Sequence, residues 1–194
     1  MMVQDALQFL LRIACELAAT AFWLRFYMQL SRVPYSNSFA QFIVKVTDFA
    51  VRPLRRVVPG FFGLDWASLL LFLLAEIIWT LGTHALMGYP FITASAKVWP
   101  GFLLFALAAG LNLIIYIFIG LILVQALISW INPFSPVAPV FYALARPVLK
   151  PFQRFIPPIH GIDLSPLAAF VVLQLLIIAP VAGLERIAHS LIWL

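Results

Sequence analysis

The sequence predicts an all-α membrane protein with four transmembrane helices in two parallel tandem repeats, each with a cytoplasmic amphipathic helix at the membrane interface. Of the 194 residues, 64% are hydrophobic and 10% are charged, whereas soluble domains are near half apolar and a quarter charged. Four apolar stretches are long enough to cross a bilayer as helices, and one sequence motif occurs twice. These observations exclude a cytosolic enzyme, a secreted disulfide scaffold and a disordered chain.

The four predicted spans follow from the apolar stretches in chain order. The first runs from about residue 6 to residue 30, and the second from about residue 66 to residue 87. The third starts near residue 103 within the apolar stretch 98–130, and the fourth runs from about residue 166 to residue 188, with Pro180 as a predicted kink. Glycines interrupt residues 91–130, so the sequence also allows a helical hairpin as an alternative for this stretch. One span after an interfacial lead-in agrees better with the repeat described next.

A fourteen-residue motif relates the two halves of the chain. Residues 52–65 align with residues 150–163 at a shift of 98 positions, and five of the fourteen pairs are identical. Ordinary residue frequencies would give roughly one identity. The sequence therefore predicts a tandem duplication, with residues 1–97 and 98–194 each forming a span, a motif loop and a span. The identical pairs are Pro53/Pro151, Arg56/Arg154, Pro59/Pro157, Gly63/Gly161 and Asp65/Asp163.

An amphipathic segment precedes each copy of the motif. Apolar residues recur there at helical spacing while polar residues face elsewhere, and Asn37 with Ser38 is a predicted start of the first segment. Aromatic and basic residues on different faces suit the plane of the lipid headgroups. The apolar positions are Phe39, Phe42, Ile43, Val46, Phe49 and Ala50 in the first segment, and Val137, Val140, Phe141, Leu144 and Val148 in the second.

The distribution of basic residues predicts the orientation in the membrane. Loops 31–65 and 131–165 hold eight of the twelve basic residues, so the positive-inside rule places both loops in the cytoplasm. Four spans then put both termini on the opposite side, and the halves are parallel rather than inverted repeats. The net charge of +5 also predicts contact with anionic lipid headgroups. No cluster of basic and stacking aromatic residues points to nucleic acid.

With Asn132-Pro133 closing the third span and the segment 161–166 leading into the fourth, the doubled motif resembles that of the YggT family, also called YlmG. The resemblance covers essentially the whole chain, although the first copy has Ala67-Ser68 where the second has Ser165-Pro166. It implies a multi-pass protein of the bacterial inner membrane without an agreed biochemical activity. Family members have been linked to cell division, to membrane-complex assembly and to osmotic tolerance. The resemblance therefore implies a scaffold or assembly factor or, alternatively, a protein of ion or osmotic homeostasis.

The motif has two interpretations. In the structural one, its prolines end the amphipathic helix, its glycines permit a positive φ, and its aspartates, or Ser165 with Pro166, cap the next span. Arg56 and Arg154 then pair with the motif aspartates or with lipid phosphate. In the other, the loops dock a protein partner or a further copy of the chain. The residues of this predicted lipid or partner surface are Arg52, Pro53, Arg56, Pro59, Gly63, Asp65, Lys150, Pro151, Arg154, Pro157, Gly161, Asp163, Ser165 and Pro166.

The remaining candidate residues are polar and lie within the predicted spans. An ionised group at mid-span costs roughly 2.5–3.5 kcal/mol even on the lenient insertion scale, so each needs a partner or a function. Arg12 and Glu16 are predicted to neutralise each other one turn apart. Hydrogen bonds between spans two and four, with Arg12 as a further partner, are predicted to satisfy Glu76, His84 and Gln174. Asn112, in span three, is predicted to face lipid or to bond a neighbouring helix. The alternative is a proton or cation site. The predicted intramembrane set is Arg12, Glu16, Glu76, His84, Asn112 and Gln174.

The sequence predicts no catalytic, cofactor or metal site. Its single cysteine, Cys15, lies in an apolar segment, and the chain has no zinc-type ligand spacing and no haem attachment motif. No nucleophile–base pair or phosphate loop is present either. We therefore expect a non-enzymatic protein without a cofactor, in which His160 and His189 lie at the interface without a function.

Overall fold

The computed structural model describes residues 2–60, 63–132, 134–156 and 163–193. These residues form seven α-helices and no β-strand, which confirms the all-α prediction for the described part of the chain. A 3₁₀ turn, Ala96–Val98, leads into α4, and a π-helical turn, Ile177–Val181, joins α6 to α7. The helices are α1 (Met2–Leu30), α2 (Ser38–Arg55), α3 (Trp66–Leu86), α4 (Trp99–Ile131), α5 (Ala138–Phe155), α6 (Ser165–Leu176) and α7 (Ala182–Ile192).

Four helical segments are long and apolar enough to cross a membrane, as predicted. They are Met2–Leu30, Trp66–Leu86, Ala96–Ile131 and Ser165–Ile192. Helix α4 runs without interruption for 33 residues, so this stretch forms one span and not a hairpin. The irregularity predicted at Pro180 takes the form of the π-helical turn, because proline has no N–H to donate to the regular ladder. The chain is therefore a multi-pass membrane protein.

The spans pack as two hairpins that meet along α3 and α4. Helix α1 lies along α3, and α4 lies along α6 and α7. Glycines allow two close approaches within this bundle. A Cβ atom at Gly110 would lie 3.0 Å from the Phe72 ring, and one at Gly101 would lie 2.9 Å from Cβ of Leu191. These two helix contacts thus depend on residues without a side chain.

The two amphipathic helices, α2 and α5, lie at the same end of the bundle, where they are joined by a ring contact and by hydrogen bonds from residues next to them. Each has 18 residues. The rings of Phe39 and Phe141 lie 5.2 Å apart, and the Tyr27 hydroxyl of α1 donates a hydrogen bond of 2.9 Å to the carbonyl of Leu144 in α5. Asn37 Nδ2 donates to the Pro136 carbonyl at 2.8 Å. We call this end of the bundle, formed by the described residues of 31–65 and 132–164, the motif face.

Two details of the predicted amphipathic helices are corrected. Helix α2 continues through Pro53 to Arg55, and α5 continues through Pro151 to Phe155, so these prolines do not end the helices. The predicted apolar face of α2 is split by burial. One stripe packs on the bundle and contains Ala40, Ile43, Thr47 and Val51, whereas a second stripe is exposed and contains Phe42, Val46 and Phe49.

Candidate functional site

A buried arginine organises the motif face of the first half. Arg25 lies in the last turns of α1, and only 4% of its surface is exposed. Its Nη1 donates hydrogen bonds of 2.8 Å to Asp48 Oδ1 and to Thr47 Oγ1, and one of 3.2 Å to the Val44 carbonyl. A buried guanidinium is tolerated only with such compensating partners. Arg25 therefore ties α1 to α2.

Asp65 forms the second centre of this arrangement, at the start of α3. Its carboxylate accepts hydrogen bonds from Arg55 Nε at 3.1 Å and Nη2 at 2.5 Å, and from the Ser68 hydroxyl at 2.6 Å. Arg25 Nε lies 3.5 Å from the same carboxylate. Burial raises the pKa of Asp65, but the hydrogen bonds from Arg55 and Ser68 outweigh it and hold the pKa below its usual value. Asp65 thus caps α3 as an ionised group.

Arg52 completes the cluster by pairing with Asp48 at 2.8 Å. We call Arg25, Asp48, Arg52, Arg55 and Asp65 the charge cluster. It joins three cations to two carboxylates and connects α1, α2 and α3 within a few ångströms. Since its inner members are buried, removing one of them leaves an uncompensated charge. The cluster therefore holds α2 in a fixed position against the two spans.

A polar cleft opens beside the charge cluster. It has a volume of about 610 Å³ and is lined by Arg25, Gln29, Tyr35, Gln41, Val44, Lys45, Asp48 and Arg55. Amide, phenol and ammonium groups in its wall can donate hydrogen bonds, but the Asp48 carboxylate also lines it, and Arg25 and Arg55 are already bound to carboxylates of the chain. No group of three or more His, Cys, Asp or Glu side chains that could hold a metal ion occurs in the described segments.

The corresponding positions of the second half are built differently. At the shift of 98, Gln153 stands where the first half has Arg55, and its Nε2 donates 3.0 Å to Asp163 Oδ2. Asp163 accepts a hydrogen bond of 2.9 Å from the Ser165 backbone N–H. Burial raises the pKa of Asp163, but the hydrogen bonds from Ser165 and Gln153 leave it below its usual value. Leu123 stands at the position of Arg25, so no cation occupies this position in the second half.

The second half instead exposes a row of cations. Arg146, Lys150 and Arg154 follow one another at four-residue spacing along α5, and all three are exposed. Residues at this spacing lie on one face of a helix. Helix α5 contains no acidic residue, and none of the three makes an ion pair within the described ranges. We call these three residues the cationic stripe.

The structure places most of the predicted motif residues but changes one pairing. Arg55, not Arg56, binds Asp65, because α2 continues past Pro53 and carries Arg55 toward the start of α3. Gly63 has the predicted positive φ, at 72°. In the second half Leu164 is the N-cap residue of the fourth span and makes no side-chain cap hydrogen bond. Asp163, one residue earlier, accepts from the Ser165 backbone N–H, and Pro166 lies in the first turn. Pro157, Gly161 and His160 lie outside the described residues.

The structure does not bring the predicted intramembrane residues together in one site. Arg12 Nε donates 2.7 Å to Glu16 Oε1, as predicted. Glu76, Thr80 and His84 form one buried stripe on α3, and His84 Nδ1 lies 2.8 Å from the Thr80 carbonyl. In the described segments, Glu76 makes no hydrogen bond with Gln174 and no ion pair with Arg12. Asn112 Nδ2 lies 3.5 Å from Glu185 Oε1, which links α4 to α7.

Sequence reasoning singled out Asp65 but did not identify Arg25 and Asp48 as its neighbours in the charge cluster. Arg25 was visible only as a charge near the end of the first span, and Asp48 as a polar position of the amphipathic segment. A signal was nevertheless present, because an ionisable residue within a span requires a partner. The matching carboxylates, Asp48 and Asp65, lie in the loop that follows this span.

Comparisons with known proteins relate the whole chain to one family. The family profile described as CCB3/YggT matches residues 4–86 and 104–183. The uncharacterized protein YggT of Escherichia coli K12 is 34% identical over 173 residues, which cover 89% of this chain and 87% of the relative. An uncharacterized Pseudomonas aeruginosa protein is 34% identical over 155 residues, or 79% of this chain and 77% of the relative. No solved structure matches the chain.

Proposed function

This chain belongs to the CCB3/YggT family, and we propose that it acts as a non-enzymatic scaffold or assembly factor of the bacterial inner membrane. In this proposal the motif face lies in the cytoplasm, since it carries most of the basic residues. It presents basic side chains to anionic lipid headgroups and to a protein partner. The proposed process is cell division or the assembly of membrane complexes.

The cationic stripe is the observation that carries this proposal. In the first half the arginines Arg25, Arg52 and Arg55 are occupied by two carboxylates of the same chain. In the second half the stripe of α5 has no such partner among the described residues. Each basic residue next to an anionic membrane surface contributes about 1 kcal/mol. The stripe is therefore available to lipid phosphate or to an acidic partner.

The first half supports the same function by fixing the geometry of the motif face. The charge cluster holds α2 against α1 and α3, so the exposed apolar stripe of α2 keeps one direction. Phe42, Val46 and Phe49 are exposed on that stripe, and aromatic and aliphatic side chains on an interfacial helix enter the boundary between headgroups and acyl chains. The motif face thus combines an apolar anchor with free cations.

Replacement of the cationic stripe tests the proposal. The triple variant Arg146→Gln, Lys150→Gln, Arg154→Gln is expected to insert normally but to lose most anionic lipid and protein that co-purify with the wild type from cross-linked cells. The matched control is Lys97→Gln with Arg186→Gln, which removes two charges outside the motif face. Quantitative mass spectrometry of both purifications measures the difference. Equal recovery of lipid and partner from the triple variant and the control would contradict the proposal.

The second candidate function is ion or osmotic homeostasis through an intramembrane site around Glu76. It is favoured by burial, because Glu76 is 5% exposed and makes no hydrogen bond or ion pair with another described residue. The Thr80 hydroxyl one turn away is also without a described partner. An intramembrane carboxyl with such surroundings is a candidate ion or proton site.

Measurement of ion flux in proteoliposomes tests this second function. If the site operates, proteoliposomes carrying the wild type show potassium or proton flux that Glu76→Gln abolishes and that the control Glu185→Gln retains. Absence of flux from wild-type proteoliposomes counts against the ion-site function.

A further inference from the structure

The outer face of α1 carries an ion pair in the middle of a membrane span. Arg12 and Glu16 pair at 2.7 Å, yet their side chains are 63% and 43% exposed. A charge at this depth is expensive in hydrocarbon, even when it is paired along one helix. In the described part of the chain, this pair has no other polar contact. The exposed face is therefore polar where lipid alone would favour apolar side chains.

The pair leaves most of its hydrogen-bonding capacity unused within the chain. A guanidinium has five N–H donors, and only Nε of Arg12 is engaged. The second carboxylate oxygen of Glu16 is also without a described donor. Arginine can bind two carboxylates at once through its planar fork. Arg12 can therefore hold its own Glu16 and, at the same time, a second carboxylate at a similar depth.

The residues around the pair have the spacing of a helix–helix seam. Phe9, Ile13, Glu16 and Thr20 follow one another at intervals of four, three and four residues. Alternating intervals of four and three residues are those of the heptad positions that keep one seam facing a parallel partner helix. Phe9 and Ile13 are exposed, and Thr20 is half-buried. The face thus offers apolar packing next to a polar centre.

We infer that this face of α1 binds the same face of a second copy of the chain. Two copies insert in the same orientation, so a two-fold axis along the membrane normal places α1 parallel to α1 with equal residues at equal depth. Arg12 and Glu16 are separated by about 6 Å along the helix, a distance that an arginine side chain spans. Each Arg12 then bridges Glu16 of its own chain and Glu16 of the second copy.

Charge complementarity favours a second copy of the chain as the binding partner of this α1 face. The face presents one cation and one carboxylate, so the same face turned about a two-fold axis satisfies both of them. An apolar partner helix would satisfy neither. Interhelical polar contacts in membranes contribute modestly, so loss of the reciprocal pairs is expected to weaken association by roughly 3- to 30-fold.

Disulfide trapping in native membranes tests the contact. In a Cys15→Ser background, which removes the native buried thiol, Ile13→Cys lies at the centre of the proposed seam. Leu175→Cys on the fourth span is at least as exposed as Ile13 and serves as the control. Oxidation is expected to give a covalent dimer from Ile13→Cys and little from Leu175→Cys. Equal yields, or a cross-link from Ile13→Cys to a different protein, would overturn the inference.

Charge reversal tests the reciprocal pairing itself. Arg12→Glu and Glu16→Arg copies with different tags are each expected to lose association with themselves, because four like charges meet. Co-expression of the two is expected to restore co-purification. If either single variant fails to insert, the double variant Arg12→Glu, Glu16→Arg keeps the pair within one chain and is expected to retain the Ile13→Cys cross-link. Self-association of Arg12→Glu at the wild-type level contradicts the pairing.

Discussion

Replacing Arg25 with alanine is expected to lower the free energy of unfolding by about 3–5 kcal/mol, the largest effect of any single substitution in the charge cluster. The substitution leaves Asp48 with the exposed Arg52 alone and removes the second cation from Asp65. It also removes the hydrogen bonds to Thr47 and to the Val44 carbonyl. Since these contacts join α1 to α2, the loss is expected to release α2 from the bundle.

Thermal unfolding in detergent and limited proteolysis of residues 31–65 measure this effect. Arg56→Ala is the control, because it also removes one arginine. Arg56 lies just beyond α2, is exposed and makes no ion pair with a described residue. The control is expected to unfold as the wild type does, whereas Arg25→Ala unfolds at a lower temperature and is cleaved faster near α2. Similar behaviour of the two variants would show that the cluster does not hold α2.

Replacing Asp65 with asparagine is expected to cost about 3 kcal/mol, because the amide leaves Arg25 and Arg55 without their shared carboxylate. The equivalent Asp163→Asn is expected to cost less than about 1 kcal/mol, since the oxygen of an asparagine amide can also accept the hydrogen bond from the Ser165 backbone N–H. Asp163 is exposed and binds Gln153, which carries no charge. The pair of variants therefore measures how differently the two halves use one motif position.

Chemical or thermal unfolding of the two variants under one set of conditions provides the comparison. Asp65→Asn is expected to have a clearly lower free energy of unfolding than Asp163→Asn. Equal losses would mean that the ion pairs of the first half add nothing to the hydrogen bonds that both aspartates accept at the start of a span.

The spans could be predicted closely because lipid imposes a simple rule on length and polarity. The second predicted span, from about residue 66 to residue 87, agrees with α3 at Trp66–Leu86, since Asp65 marks its start as an N-cap. The first predicted span begins at residue 6 rather than at Met2, where α1 begins, and ends with α1 at Leu30. The fourth predicted span ends at residue 188, short of Ile192, where the α6–α7 segment ends. Polar residues such as Gln4 and His189 continue the helices beyond the most apolar part.

The charge cluster could not be predicted, because its members are distant in sequence and each is ordinary by itself. Arg56 recurs as Arg154 in the second copy of the motif, whereas Arg55 does not recur, so the sequence pattern favours Arg56 as the partner of Asp65. Pro53 was expected to end α2, but proline near the last turn removes only one hydrogen bond, and the helix continues to Arg55. One further residue of helix changes which arginine faces α3.

The tandem duplication stays a prediction, and the two halves differ where function is proposed. A shared motif position holds an arginine that binds Asp65 in the first half and a glutamine that binds Asp163 in the second. The position of Asp48, which is bound by Arg25, is Arg146 in the second half. A duplicated framework with unequal charges agrees with one half that stabilises the motif face and one that presents cations.

Accessibility of the motif face from the cytoplasm is the most direct test of the central claim. In the Cys15→Ser background, single cysteines at Lys45 and Lys150 report the two halves of the motif face, and one at Lys97 reports the opposite end of the bundle. A membrane-impermeant maleimide is expected to label Lys45→Cys and Lys150→Cys only in inverted vesicles, and Lys97→Cys only in intact spheroplasts. Labelling of Lys45→Cys or Lys150→Cys from outside intact spheroplasts would contradict the account.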